Sequence, residues 1–227
     1  MSSIRFDVIT IFPQVFGPYL NESILKRAQE KKLLKIRLHD LRDFTRDKRK
    51  KVDGRPYGGG PGMVLAVEPL ARALLSVIPA KAGIQRSKTK IILFSAAGKR
   101  FDAKMAVNLA KRYDHIIMIA GRYEGVDERV KKLCRIQEIS IGPYVLTGGE
   151  LPALVVIDAV ARHIPGVLGS EESLEEKRHG IGVPVYTRPE VFEWKKKKHC
   201  VPSELLSGDH KKIEEWRKKH VRSDKTL

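Results

Sequence analysis

The amino-acid sequence predicts an α/β fold with a parallel sheet, followed by a small, basic, helical C-terminal region. Three observations predict it. Short, continuous apolar runs alternate with segments of helical periodicity through the middle of the chain. Three successive apolar runs end in glycine-rich turns. Beyond Gly166 apolar periodicity fades and lysine dominates. Strands that are apolar on both sides need cover on both faces, and intervening helices supply it in a parallel sheet.

The elements follow in order. Phe6 to Phe12 is an apolar, β-branched run closed by Pro13, a buried first strand. Residues 22–31 are strong helix formers with Ile24, Leu25 and Ala28 on one face. Leu34, Ile36 and Leu38 alternate with Lys35, Arg37 and His39, a half-exposed strand. A polar stretch runs from Arg42 to Gly62. Pro69 sits at a helix start, where its missing N–H costs little, and Leu70 to Val77 continue the helix. Residues 79–90 read as a basic loop. Strands at Ile91–Ser95, His115–Ala120 and Ile136–Ile141 then alternate with helices at Asp102–Arg112, Val126–Cys134 and Leu151–Ile164. The division is a domain over 1–167, a linker over 168–185 and a basic helical domain over 186–227. From Lys195 to Leu227 eleven Lys/Arg face five Asp/Glu, and residues 209–220 form a helix with Ile213 and Trp216 on one side.

Hydrophobic residues make up 42% of the 227, enough for a real core. The formal net charge is +17. So large an excess repels itself in a compact chain unless a polyanion compensates. Nucleic acid is therefore the first partner to consider, with a solvated basic surface as the alternative. Cys134 and Cys200 form no C-x-x-C pair, so zinc or a disulfide framework is disfavoured, and two reduced thiols are expected. No basic segment followed by an apolar one opens the chain, and no apolar run approaches the roughly 18 residues of a membrane span. The expectation is a cytoplasmic protein that does not engage a membrane.

Ligands of an open parallel sheet bind beyond the carboxyl ends of its strands. Three such ends carry the glycine turns: Ser95-Ala96-Ala97-Gly98, Gly121-Arg122-Tyr123-Glu124-Gly125, and Ile141 to Glu150. No G-x-G-x-x-G occurs, since Met63 stands where the last glycine of the 58–63 run belongs. No phosphate-binding G-x-x-x-x-G-K-[ST] or zinc-binding H-E-x-x-H occurs either. Close backbone approach with Tyr123, Tyr144 and Leu146 as walls suits a neutral or cationic adenine-bearing ligand better than a pyrophosphate. The 52–62 loop (VDGRPYGGGPG) follows Lys48, Arg49, Lys50 and Lys51. Arg55 is placed to pair with a phosphate and Tyr57 to stack on a base; a plain surface loop is the alternative.

Taken together, RFDVITIFP, DGRPYGGGPGM, AGRYEGVDERV, EISIGPYVLTGGELPALVVIDAVAR, YTRPEVFE and LLSGDHKKIEEWR resemble the bacterial tRNA (guanine-N1)-methyltransferase family, in order and over nearly the whole chain. The resemblance implies a trefoil-knotted α/β domain of the SPOUT class, S-adenosylmethionine bent inside the knot, and a helical C-terminal domain. It also implies a homodimer bridged by tRNA, 1-methylguanosine at position 37 as product, and magnesium supporting transfer. Cofactor contacts are implied for Ser95, Gly98, Gly121, Tyr123, Glu124, Ile141, Gly142, Pro143, Tyr144, Val145, Leu146, Gly148 and Gly149. Ala96-Ala97 replaces the family's Pro-Gln, and Pro143 its usual aspartate. Asp53, Arg55, Tyr57, Arg188, Ser207 and His210 fall in motifs implied to face RNA. No metal ligand is assigned.

Methylation at guanine N1 removes the N1 proton and spreads negative charge to O6. A base near N1 and a cation near O6 therefore stabilise the transition state. The resemblance implies Arg162 as that cation. The family's base is a linker aspartate, and Lys177 stands at its place here. A protonated lysine is a poor base, so Glu176, or Glu175 after a short gap, is expected to take the role. The alternatives are a SPOUT enzyme with another RNA target and a non-catalytic RNA-binding protein.

Overall fold

The computed structural model describes residues 3–78, 88–169 and 182–221. The chain divides into two compact units, Met1–Leu168 and Gly169–Leu227. The first holds a five-stranded, wholly parallel sheet. Its strands are β1 (Ile4–Thr10), β2 (Leu34–Asp40), β5 (Thr89–Arg100), β6 (His115–Ile119) and β7 (Ile136–Ser140), in the spatial order β2-β1-β6-β5-β7. A two-stranded antiparallel pair, β3 (Asp53–Gly54) with β4 (Val64–Leu65), closes the glycine-rich loop.

Alternation along the strands sends side chains to two cores. Phe6, Val8, Ile92, Ile116 and Met118 pack with α2 (Ser23–Glu30), α4 (Ala103–Arg112) and α6 (Glu150–Ala161). Ile9, Ile91, Leu93, Ile117 and Ile119 pack with α3 (Val67–Val77) and α5 (Arg129–Leu133). Both faces are covered, which is why the strands read as unbroken apolar runs. A four-residue helix, α1 (Gly17–Leu20), precedes α2.

Asp7 is a charged exception within this core. It is fully buried, and its carboxylate is held by Arg5 at 2.5 Å, His39 at 2.6 Å and His115 at 2.6 Å. Burial alone raises a carboxyl pKa, but here the hydrogen bonds from His115, His39 and Arg5 outweigh it and hold Asp7 well below its ordinary value.

Several boundaries differ from the sequence reading. The first strand runs from Ile4 to Thr10, and Ile11 and Phe12 lead out of the sheet into a short turn at Pro13. Pro69 lies inside the first turn of α3, where backbone N–H groups have no helical acceptor. The helix expected over Val126–Cys134 is only Arg129–Leu133, because residues before it hydrogen-bond across to Leu65. β5 continues to Arg100 through an irregularity between Phe94 and Lys99. Most of the expected 79–90 loop and of the 168–185 linker lies outside the described residues.

The second unit was expected to be helical. It carries α7 (Ser203–Leu206) and α8 (His210–Lys219), but also an antiparallel hairpin, β8 (Val191–Trp194) with β9 (Lys197–Cys200). Asp209 caps α8 by accepting from the Lys211 and Lys212 amides, and Trp216 is buried among the unit's described residues. Among the described residues no helix is long and apolar enough to cross a membrane.

Candidate functional site

The three turns meet at the irregularity within β5 and beyond the carboxyl ends of β6 and β7, around a cavity of about 300 Å³. Of the residues that the resemblance assigns to the cofactor, Ser95, Gly121, Tyr123, Glu124, Ile141, Gly142, Tyr144, Val145, Leu146, Gly148 and Gly149 line it. Gly98 and Pro143 do not. Gly98 instead lets β5 ride against β7, since a Cβ there would lie 2.6 Å from the Ile139 amide nitrogen.

The glycines permit contacts that any side chain would block. Gly149 donates to the Gly121 carbonyl at 2.8 Å, and a Cβ on Gly149 would fall 2.6 Å from Ala120 Cα. A Cβ on Gly142 would fall 2.2 Å from the Tyr144 ring. Tyr123 takes a left-handed backbone (φ +59°) with its ring half exposed at the cavity. Such a conformation is uncommon for an aromatic residue and is held here by its neighbours.

A buried network ties two of the turns to β1. Arg122 donates to Glu150 at 2.9 Å, and Thr10 donates to the other Glu150 oxygen at 2.8 Å. Glu150 is only 2% exposed. The Arg122 guanidinium lies over the Phe12 ring, 4.7 Å from its centre. Arg122 lines the cavity, yet the sequence reading took it as part of a turn rather than as a functional side chain.

Charge on the cavity wall is net acidic. Glu124, Glu128 and Glu138 line it against Lys131 and Arg122, and Arg122 is already paired with Glu150. Lys131 bridges Glu128 at 2.8 Å and Glu138 at 3.0 Å. Hydrogen bonding to Glu128 first, and also to Glu138, raises the Lys131 pKa against the opposing effect of burial. The sequence reading placed a helix over 126–134 but singled out neither Glu128 nor Lys131.

The 53–63 loop adjoins the same turns. Glu124 donates its amide to the Met63 carbonyl at 3.1 Å, and Leu65 donates to Gly125 at 3.0 Å. Gly58, Gly59, Gly60 and Gly62 all have positive φ, and a Cβ at Gly62 would lie 2.5 Å from a Glu124 carboxylate oxygen. Arg55 is exposed, Tyr57 is fully exposed and Asp53 is half-buried in β3. In the second unit Arg188, Ser207 and His210 are exposed. Ser207 donates to the Glu204 carbonyl at 2.7 Å, and His210 begins α8.

Arg162 caps the far end of α6 and does not line the cavity. The helix between Glu150 and Arg162 spans about 18 Å at roughly 1.5 Å per residue. Glu175, Glu176 and Lys177 lie outside the described residues. Among the described residues no group of three or more His, Cys, Asp or Glu is placed to hold a metal ion.

A parallel α/β sheet with glycine turns around a small acidic cavity, beside an arginine- and tyrosine-bearing loop, defines an α/β protein whose cavity wall favours a small cationic ligand over an anionic one. A family model described as tRNA (Guanine-1)-methyltransferase TrmD matches residues 4–227, and the chain belongs to that family. Three similar proteins, each named tRNA (guanine-N(1)-)-methyltransferase, illustrate the match. That of Dictyoglomus turgidum is 48% identical over 96% of this chain and 85% of its own. That of Thermomicrobium roseum is 49% identical over 95% of this chain and 78% of its own. That of Clostridioides difficile is 45% identical over 95% of this chain and 91% of its own.

Proposed function

We propose that this protein transfers a methyl group from S-adenosylmethionine to N1 of guanosine 37 in tRNA. The observation that carries the reading is the meeting of three glycine turns on one acidic cavity directly beside the 53–63 loop. The cavity fits the cofactor in size and charge. Its volume lies at the lower end for small-ligand sites, its glycines leave backbone room, and its wall favours a cation. When bound, S-adenosylmethionine supplies an electrophilic methyl carried on a sulfonium sulfur.

The chain's own residues would do the rest. Gly121, Tyr123, Ile141, Gly142, Tyr144, Leu146, Gly148 and Gly149 hold the cofactor, and Glu124 stands between it and the RNA-facing loop. Arg55 and Tyr57 take phosphate and base, helped by Asp53, Arg188, Ser207 and His210. Arg162 offsets charge growing on O6, and Glu176 or Glu175 accepts the N1 proton.

A homodimer reconciles Arg162 with the cavity. α6 exposes Leu151 and Val155, one turn apart, while its other apolar side chains are buried or half-buried. Antiparallel pairing of two such faces brings Arg162 of one copy toward the Glu150 end, and so the cavity, of the other. The division of the chain after Leu168 supports a cofactor domain ending near residue 167, joined by the 168–185 linker to an RNA-binding domain. The knot is supported by two close passages, Phe101 donating to Ser140 at 2.8 Å and Gly149 against Ala120. The setting is the cytoplasm, where tRNA is found.

The test is to map the methylated nucleotide in defined tRNA transcripts carrying guanine or another base at positions 36 and 37. The reading expects 1-methylguanosine at 37 only. Methyl groups on a ribose, on another position, or on no nucleotide would overturn it. Single-turnover transfer by Glu175→Gln, Glu176→Gln and Lys177→Ala locates the base; near-wild-type rates in both glutamine variants remove the linker glutamates from it.

A further inference from the structure

The β8–β9 hairpin carries features that folding of the second unit does not use. Of the two tryptophans, Trp216 is buried and stacks on His220 with ring centres 4.1 Å apart, while Trp194 is 58% exposed. Phe192 is 54% exposed beside it. Residues two apart on a strand share a face, and so do directly opposed residues of an antiparallel pair. Phe192 pairs with His199 and Trp194 with Lys197, so Phe192, Trp194, Lys197 and His199 share one face. The two rings are near parallel, at 15°, with centres 6.4 Å apart. Lys195 and Lys196 form the turn with positive φ, and Lys198 completes a run of four lysines at the tip.

We propose that this hairpin face is a stacking platform for unpaired bases of the RNA substrate, with the lysine tip gripping the adjoining phosphates. Two outward aromatic rings in a basic setting match the chemistry of single-stranded nucleic acid, whose bases offer π-faces and whose backbone offers charge. Charge complementarity commits the surface to a polyanion: four lysines lie at the tip, and the hairpin's one acid, Glu193, lies on the opposite face, paired in register with Lys198. A structured duplex fits less well, since its bases are already stacked. The inference rests on the proposed tRNA substrate and adds an RNA-binding surface beyond the 53–63 loop and the motif residues.

The experiment uses the full-length protein and an unmodified tRNA transcript, with affinity read by fluorescence anisotropy across a salt series. Phe192→Ala/Trp194→Ala is expected to weaken tRNA binding about tenfold or more while leaving the salt slope unchanged. Replacing Lys195, Lys196 and Lys197 by glutamine is expected to flatten the plot of log affinity against log salt by about 0.7 for each phosphate no longer neutralised. Tryptophan emission should be quenched by tRNA in the wild type and not in Trp194→Phe. S-adenosylmethionine binding by calorimetry should be unaltered in all variants, which also reports that the first unit is folded. Affinity within twofold of wild type in the aromatic variant, without quenching in the wild type, overturns the platform while leaving the methyltransferase reading intact. Conversion of a dimer to a monomer by the hairpin variants also overturns it, because the face then seats a second copy. Failure of the wild type to bind tRNA at all overturns both readings.

Discussion

Replacing Arg122 by methionine tests whether the buried network behind the cavity holds the two turns in place. The substitution keeps an unbranched aliphatic side chain but removes the guanidinium that meets Glu150 at 2.9 Å and lies over the Phe12 ring. Glu150, 2% exposed, is then left with the Thr10 hydroxyl and loses its charged partner. A hydrogen bond to a charged group contributes about 1.5–3 kcal/mol, and a cation over an aromatic ring adds about 0.5–1 kcal/mol. Arg122 is 22% exposed, so solvent recovers part of the sum and about 2–3 kcal/mol is expected. For a chain of this size that is roughly a 5–10 °C fall in Tm. Both tryptophans lie in the second unit, so their fluorescence serves as an internal control while far-UV circular dichroism follows the sheet. Calorimetry should show S-adenosylmethionine affinity falling at least about fivefold, since Arg122 and Gly148 both line the cavity and bridge to each other. In a double-mutant cycle with Glu150→Gln, the coupling energy should exceed about 1 kcal/mol. A loss under about 0.5 kcal/mol, with unchanged cofactor affinity, would refute the reasoning.

The remaining perturbations probe the cavity and the sheet. Gly149→Ala drives a methyl to 2.6 Å from Ala120 Cα and is expected to cut S-adenosylmethionine affinity more than about tenfold with the sheet intact; unchanged calorimetry would show that the turns move freely. Asp7 has a folded pKa below its unfolded value near 3.9, so its stabilisation is complete above that value and disappears as pH falls through the folded pKa. Asp7→Asn should therefore cost about 3 kcal/mol at neutral pH, and urea midpoints of the two proteins should converge below about pH 4; a pH-independent difference would contradict this. Glu138→Gln should narrow the preference for S-adenosylmethionine over its neutral thioether product by about two- to fivefold, and Lys131→Met should widen it. Equal shifts of the two ligands would remove charge as the cause.

The sequence made the sheet legible because both of its faces are covered. Ile91–Leu93 and Ile116–Ile119 read as unbroken apolar runs for that reason. The three turns were legible because close backbone approach demands glycine, and glycine is visible in a sequence. What makes Gly98 a glycine was not: it faces the backbone of β7 rather than the ligand, and the two demands write the same letter. The Arg122–Glu150–Thr10 network joins residues up to 140 positions apart, and local periodicity carries no trace of such a pairing. The hairpin was hidden because its strands are exposed on both faces, and four consecutive lysines mask the two-residue alternation.

The chain carries a net charge of +17, yet its cavity wall carries three glutamates against Lys131 once Arg122 is paired off. The two signs serve different ligands. A basic exterior draws in a polyanion from a distance, and that same field repels a cofactor whose sulfonium leaves it net positive. An acidic wall reverses the field locally, over roughly a Debye length of 8 Å. Methyl transfer from a bound sulfonium donor would leave a neutral thioether, and the wall that favoured the donor would have less hold on the product. Lys131 sets how strong that preference is: it pairs with Glu128 and Glu138 and offsets one negative charge, so the wall stays acidic without leaving all three carboxylates unpaired. On this argument the cofactor's charge, and not its adenosine alone, orders binding before transfer and release after it.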